Sequence, residues 1–376
     1  MKLLLFANTE WYLYNFRRSL AAALRDAGHE VLLVSPPGPY GARLQALGFR
    51  WIAAPMERRS LNPLRELALV AWLRRLVRAE RVDLVHGFTI KCAVYGSLAA
   101  RSAGRARVNA VAGMGYVFTS DDVRARVLRP LVRTLMRAAL GGRRSRLILQ
   151  NPDDVALFDE AGLVRPEKVR LIPGSGVDCR RFAPPDDERV RNAGAPLRVL
   201  LPARLLWDKG VAEFVEASRL LRAEGRAVEF LLAGDPDPGN PAAVPEQKVR
   251  DWVADGMLTW LGHVDDMPAL FASVDVVALP SYREGLPKGL IEAAACGLAL
   301  VTTDVPGCRE VVTHEVDGLL VPPKDAVALA QAIARLDADP SLRRQLARAA
   351  RSRALAEFDE RHVIARTVAV YEELLG

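Results

Sequence analysis

Short apolar runs rich in leucine and valine recur along the chain, and between them apolar residues return every three or four positions among charged ones. The runs read as strands buried on both faces and the stretches between them as amphipathic helices, so the alternation predicts an α/β protein built on parallel sheets. Strands are expected at Lys2–Ala7, Glu30–Ser35, Val82–His86, Arg107–Ala112 and Arg146–Gln150, then at Leu197–Pro202, Val228–Ala233, Leu258–Leu261, Val274–Leu279, Ala299–Thr303 and Gly318–Val321. Helices are expected within Arg65–Arg81 and Arg124–Arg146, and later at Asp325–Asp337, Ser341–Phe358 and Arg361–Leu375. The Pro-, Gly- and Asp-rich stretch Pro173–Pro196 interrupts the pattern. A chain of 376 residues exceeds the length at which one core usually divides. Two domains are therefore expected, residues 1–175 and 176–360, followed by a last helix within 361–376.

Half of the residues are hydrophobic, yet no apolar run approaches the roughly 20 residues that a membrane-spanning helix needs. The apolar start Met1–Ala7 is short, and Asn8, Glu10 and Asn15 follow at once, so it reads as a first buried strand and not as a signal peptide. Cys92, Cys179, Cys296 and Cys308 are scattered without a Cys-x-x-Cys pair. That pattern indicates neither a zinc site nor a disulfide framework and suits reduced thiols in the cytoplasm.

Charge changes the picture. Residues 1–175 carry 28 Lys and Arg against 14 Asp and Glu, whereas the remainder carries 24 against 31. A basic first half implies an anionic partner. The stretch Arg124–Arg146 holds eight arginines and no acid, interleaved with Val127, Leu128, Leu131, Val132, Leu135 and Met136. Such a helix can lie on an anionic membrane surface, as can Arg65–Arg81 with its leucines and Trp72. Packing against a sheet with the arginines in solvent is the alternative for both. Nucleic acid is the competing anion, and the lack of basic-aromatic interleaving and of any recognisable module speaks against it.

Candidate chemistry sits beyond the Val274–Leu279 strand, where Pro280-Ser281 leads into Tyr282-Arg283-Glu284-Gly285-Leu286-Pro287-Lys288-Gly289-Leu290-Ile291-Glu292. Pro287 suits the first turn of a helix, so amides near Gly285, Leu286 and Lys288 would face outward at the positive dipole end and fit a diphosphate. Glu292 would accept hydrogen bonds from ribose hydroxyls and Glu284 from sugar hydroxyls; a loop junction with a solvated Glu292 is the plainer alternative. A second motif ends the Leu197–Pro202 strand with Arg204 and carries Lys209 into the next helix. Two cations at one strand end suggest bound phosphate, although either alone would pass for a surface residue.

Together the motifs resemble the retaining glycosyltransferases of family 4. The resemblance also takes in Ile172–Asp178 with Phe182, and Leu261–Asp266. The runs Pro280–Lys288, Glu292–Gly297 and Thr303–Glu310 are similar to a branch that adds N-acetylhexosamines to undecaprenyl-diphosphate-linked saccharides. The family implies the GT-B fold: two Rossmann-like domains with parallel sheets facing across an interdomain cleft. Residues 1–175 would bind acceptor and 176–360 the nucleotide sugar, with the helix within 361–376 returning to the first domain.

The resemblance implies a UDP-sugar donor, a lipid-linked saccharide acceptor and peripheral placement on the cytoplasmic face of the inner membrane. Arg204, Lys209 and Glu284 become catalytic candidates, with the two cations on the leaving UDP. Glu292, Gly285, Leu286, Pro287, Lys288 and Gly234 become donor contacts, as do His263 and Val264 toward the uracil. Retention would need no enzymic nucleophile, the acceptor proton passing to the departing phosphate. Asp235 and Asp237 form an Asp-x-Asp, but lysine and arginine already fill the phosphate role, so no metal and no cofactor are expected.

The family's glycine-rich first loop is absent here, replaced by Asn8–Arg17. Asn15 and Arg17 are therefore candidates for acceptor or donor phosphate; alternatively Tyr12, Tyr14 and Phe16 pack and Asn15 caps a helix. Gly113 and Gly115 could approach the sugar, and His86, at an expected strand end, could hydrogen-bond sugar or acceptor or serve as a satisfied structural histidine. A non-hydrolysing UDP-sugar epimerase and a noncatalytic sugar-nucleotide-binding protein share the architecture. The first lacks its proton-transfer pair here, and intact Arg204, Lys209, Glu284 and Glu292 speak against the second.

Overall fold

The computed structural model describes residues 1–58, 60, 62–111, 123–185 and 195–376, without the side chains of 123–128 and 131. Two compact units emerge, Met1–Ser175 with His362–Gly376, and Gly176–Arg361. The first holds seven parallel strands: β1 Lys2–Phe6, β2 Glu30–Ser35, β3 Arg50–Ala53, β4 Leu84–Phe88, β5 Ala106–Ala110, β6 Ser145–Leu149 and β7 Val169–Leu171, in the order β3-β2-β1-β4-β5-β6-β7. The second holds β8 Leu197–Pro202, β9 Val228–Ala233, β10 Thr259–Gly262, β11 Val276–Leu279, β12 Ala299–Thr303 and β13 Leu319–Val321, in the order β10-β9-β8-β11-β12-β13.

The central strands show why the apolar runs were readable. In β1, Leu3 and Leu5 enter one core layer while Leu4 and Phe6 enter the layer on the opposite face. A strand covered on both sides needs an unbroken apolar run. The two strands not expected from sequence, β3 and β7, are the edges of the first sheet, and neither has a fully buried residue. With one flank in solvent, their burial pattern is no stronger than that of a loop. Strand β4 also runs two residues past its expected end. Asp83 accepts from the Lys2 amide at 2.8 Å and so marks the start. Gly87 is no terminator, because it lets the helix Ile90–Ser102 approach: a Cβ there would lie 2.8 Å from Ala93 Cα.

The last helix, Glu360–Leu375, buries Val363, Thr367, Val370 and Tyr371, a single helical stripe. Val363, Val370 and Tyr371 join the core of the first unit. Glu373 accepts from Arg146 at 2.9 Å and from Arg170 at 2.7 Å. No helix among the described residues is long and apolar enough to cross a membrane.

Candidate functional site

In the second sheet the chain builds outward from β8 to β9 and β10, then crosses back to start the other half at β11. A parallel sheet opens a crevice at such a reversal, outside the carboxyl ends of its strands. The loop after β8 runs from Ala203 to Gly210, and the loop after β11 from Pro280 to Pro287. Both therefore border the same opening.

Lys209 closes a single 3-10 turn, Trp207–Lys209, and its Nζ donates to Glu284 Oε1 at 2.5 Å. Ser281 donates its hydroxyl to the same oxygen at 2.7 Å, and the Ser281 carbonyl in turn accepts from the Thr303 hydroxyl. The two loops are locked together by backbone as well: the Tyr282 amide donates to the Asp208 carbonyl at 2.9 Å. Gly210 has φ +72, and a Cβ on it would lie 2.1 Å from the Pro280 carbonyl oxygen. Only a residue without a side chain fits between Lys209 and the following helix. Ser281, wholly buried, was not read from sequence as a site residue. Its position directly after a strand's carboxyl end was the available signal.

The helix opened by this loop is Lys288–Ala295, so Pro287 is its N-cap and lies just outside its first turn. No side chain caps it, and its hydrogen-bond ladder begins at the Leu290 and Ile291 amides, which both donate to the Pro287 carbonyl, at 3.1 and 3.3 Å. Gly289 sets the helix start against the end of β8, with the position of a Cβ 3.4 Å from the Pro202 carbonyl oxygen. One turn in, Glu292 is mostly buried and lies 3.5 Å from Lys288 Nζ. Burial raises the Glu292 carboxyl above the usual carboxylate range, and Lys288 opposes the rise.

Arg204 is half exposed and donates to Asp237 Oδ2 at 2.9 Å, an oxygen that also accepts from Asn240. Gly234, at φ +146, lies where a Cβ would meet the Ala203 carbonyl oxygen at 1.9 Å, so the Arg204 loop rests directly on it. His263 lies 3.4 Å from both Asp235 and Asp265, at an exposed rim, with Val264 partly buried beside it. The Asp-x-Asp pair is thus divided between an arginine and a histidine. No group of three His, Cys, Asp or Glu side chains suited to a metal occurs among the described residues.

The first unit corrects two expectations. Asn8–Arg17 is helical from Glu10, with Thr9 as N-cap accepting from the Tyr12 amide at 3.1 Å. Asn15 does not cap the following helix, Arg18–Asp26, whose N-cap is Arg17: it sits in a π-helical turn, Leu13–Arg17, and donates to the Trp11 carbonyl at 3.0 Å. His86 does not end its strand, because β4 continues to Phe88, and its ring is wholly buried with Nδ1 2.6 Å from the Tyr371 hydroxyl. Arg17 is also buried. Gly113 and Gly115 lie outside the described residues.

Comparison with known proteins follows the same division. A family model for glycosyl transferases group 1 matches residues 196–339, and one for a glycosyl transferase 4-like domain matches residues 15–175. The N,N'-diacetylbacillosaminyl-diphospho-undecaprenol alpha-1,3-N-acetylgalactosaminyltransferase of Campylobacter jejuni is 29% identical over 372 residues, covering 96% of each chain. The UDP-Gal:alpha-D-GlcNAc-diphosphoundecaprenol alpha-1,3-galactosyltransferase of Escherichia coli is 26% identical, covering 76% of this chain and 74% of its own. Among solved structures, a glycosyltransferase from Rickettsia africae superposes with a TM-score of 0.81 at 20% identity, covering 100% of this chain and 98% of the other. Anabaena Alr3699/HepE in complex with UDP gives 0.79 at 21% identity, covering 100% of both. With both family models matched, most of the chain spanned between them and the architecture shared, the protein belongs to the family 4 glycosyltransferases of the GT-B fold.

Proposed function

We propose that the protein is a retaining, metal-independent transferase that moves a sugar, an N-acetylhexosamine by preference, from a UDP-sugar to a lipid-diphosphate-linked saccharide during assembly of a bacterial surface glycan. The observation that carries this reading is the Lys209–Glu284 pair beside the start of helix Lys288–Ala295, at the reversal of the second sheet. A cation, a carboxylate and an uncapped helix N-terminus at one opening suit a diphosphate joined to a polyhydroxyl group. The C. jejuni relative, similar over nearly the whole of both chains, supports the lipid-linked acceptor and the hexosamine.

In this reading donor binding exchanges partners. Lys209 leaves Glu284 for the diphosphate, and Glu284, its Oε1 still held by Ser281, turns its carboxylate to the sugar hydroxyls. As the anomeric bond breaks, negative charge grows on the departing UDP, and Lys209, Arg204 and the helix amides stabilise it more than they stabilise the ground state. The acceptor proton passes to the departing phosphate oxygen. The second unit is the donor domain and the first the acceptor domain.

Glu292 would hold the ribose as a carboxylate. Its pKa is raised on folding, so the ionised form costs stability above that pKa and the cost disappears as pH falls through it. Glu292→Gln is accordingly expected to raise Tm at neutral pH. UDP binding to the native protein should weaken as pH falls through the raised pKa, while Glu292→Gln binds UDP weakly and without that slope. A parallel slope in the variant, measured by calorimetric titration, would remove Glu292 from the ribose.

Membrane contact is assigned to the helix Pro63–Ala79, on the cytoplasmic face. Leu64 and Leu67 are 77% and 67% exposed there, among exposed Arg65, Arg74 and Arg75. In the longer helix Val123–Leu140 and the turn after it, Arg137 and Arg144 are spent on the carbonyls of Gly162 and Gly104. Leu64→Ser with Leu67→Ser should abolish cosedimentation with anionic vesicles; unchanged cosedimentation would reject this face.

The function itself is tested with a panel of UDP-sugars, N-acetylhexosamines first, with and without lipid-diphosphate saccharide and with a chelator present. A lipid product heavier by one sugar supports the whole reading. Interconverted nucleotide sugar without lipid would mean an epimerase, and turnover restored only by magnesium or manganese would end metal independence.

A further inference from the structure

Arg17 presents an unsolved electrostatic problem in the first unit. It ends the π-helical turn Leu13–Arg17, where the backbone breaks to φ −128 and ψ 0 before the next helix, and it is only 4% exposed. Among the described residues its guanidinium donates once, to the Tyr12 hydroxyl at 3.0 Å, and it lies 4.3 Å from the centre of the Phe88 ring. Its Nε–H is buried with no partner, and no carboxylate pairs with it among the described residues. The neighbouring polar group supplies no countercharge either. His86 packs 4.0 Å from the same Phe88 ring, its Nε2 also has no partner among the described residues, and burial together with the Arg17 charge pushes its pKa well below the ordinary value. The imidazole is therefore neutral.

A buried, unpaired cation is costly, and a ring face and one phenol offset only part of that cost. The place is also particular. Phe88 ends β4, which lies beside β1 in the first sheet, and it is between these two strands that the order β3-β2-β1-β4-β5-β6-β7 reverses. That is the ligand-binding end of a parallel sheet. We propose that Arg17 is the centre of an oxyanion site in the first unit, which a phosphate group of a substrate completes by accepting from the guanidinium.

The planar fork of arginine suits phosphate in two-point contact, which a lysine would not reproduce. Two substrates in the proposed function carry such a group, the nucleotide sugar and the lipid-linked acceptor. The site rests on that function only for the choice between them.

The probe is inorganic pyrophosphate, used on the full chain in a Lys209→Ala background so that the principal cation of the second unit is absent. Near-saturating pyrophosphate should raise Tm by about 2–4 °C, and adding Arg17→Lys should remove that rise while the protein stays folded. Arg17→Met should match or exceed the wild-type Tm without ligand, because it removes an uncompensated charge; a structural arginine would lower it. UDP and a short-chain polyprenyl diphosphate, titrated separately against wild type and Arg17→Lys, then name the source as the ligand whose affinity falls at least about tenfold. Pyrophosphate protection that is absent in Lys209→Ala, or equal with and without Arg17→Lys, would overturn the site. Failure of sugar transfer to lipid would sink the acceptor assignment and leave the pyrophosphate result standing.

Discussion

Lys209→Ala is expected to lower kcat/KM by about a hundredfold or more, equivalent to roughly 3 kcal/mol of transition-state stabilisation, while the protein remains folded. The expectation rests on where charge develops. In the ligand-free chain Lys209 neutralises Glu284, so its ground-state partner is already a carboxylate. When the sugar–phosphate bond breaks, the demand for positive charge moves to the leaving diphosphate, and Lys209 is the most enclosed cation at the β8–β11 opening. Arg204, half exposed and already paired with Asp237, cannot substitute for it, because its interaction is screened by solvent. Removing Lys209 leaves Glu284 with the Ser281 hydroxyl, which limits the damage to the fold. Steady-state kinetics on the purified variant, with circular dichroism to establish folding, decides the matter. A folded variant within about threefold of wild type would take Lys209 out of the phosphate role.

Gly210→Ala should be among the most damaging single methyl additions in the second unit. Two separate costs apply. The backbone lies in the left-handed region, φ +72 and ψ 28, where a side chain costs about 1–2 kcal/mol. The added carbon would also lie 2.1 Å from the Pro280 carbonyl oxygen, a main-chain atom that can move only if the whole β11 loop moves. Gly225 provides the control, because it has the same φ of +72 and nothing within 4 Å of the position of its Cβ. Gly225→Ala should therefore lower Tm by about 2–8 °C with activity kept. Gly210→Ala should fall at least about twice as far and weaken UDP binding about tenfold or more, since Lys209 and Glu284 ride on the two loops being forced apart. Equal Tm losses in the two variants would show that the close approach is relaxed at no cost.

Both predictions depend on loops whose residues could be named from sequence but whose partners could not. The central strands were legible because burial on both faces demands continuous apolar runs, as in Leu3–Phe6 and Val276–Leu279. The edges β3 and β7 were not, because a strand with one flank in solvent carries little pattern. Local placement was legible for a similar reason: Glu284, Lys288 and Glu292 sit at fixed offsets along one loop and helix, where spacing translates into geometry. The helical stretch Glu10–Arg17 was misread as a loop because its aromatic and polar residues have no clean period, and a π-helical turn shifts the phase of what period remains.

By itself, then, the sequence determined the α/β class, the placement of the central strands and the residue types gathered around residues 204–209 and 284–292. Tertiary structure alone decided which of them meet. Lys209 and Glu284 are 75 residues apart and touch only because β8 and β11 are neighbours at the reversal of the sheet. His86 and Tyr371 are 285 residues apart and meet only because the last helix packs with the first unit. Whether a charge has a partner depends on these long-range contacts, and that is why Arg17, already a phosphate candidate in the sequence, shows its burial and its want of a countercharge only once the chain is folded.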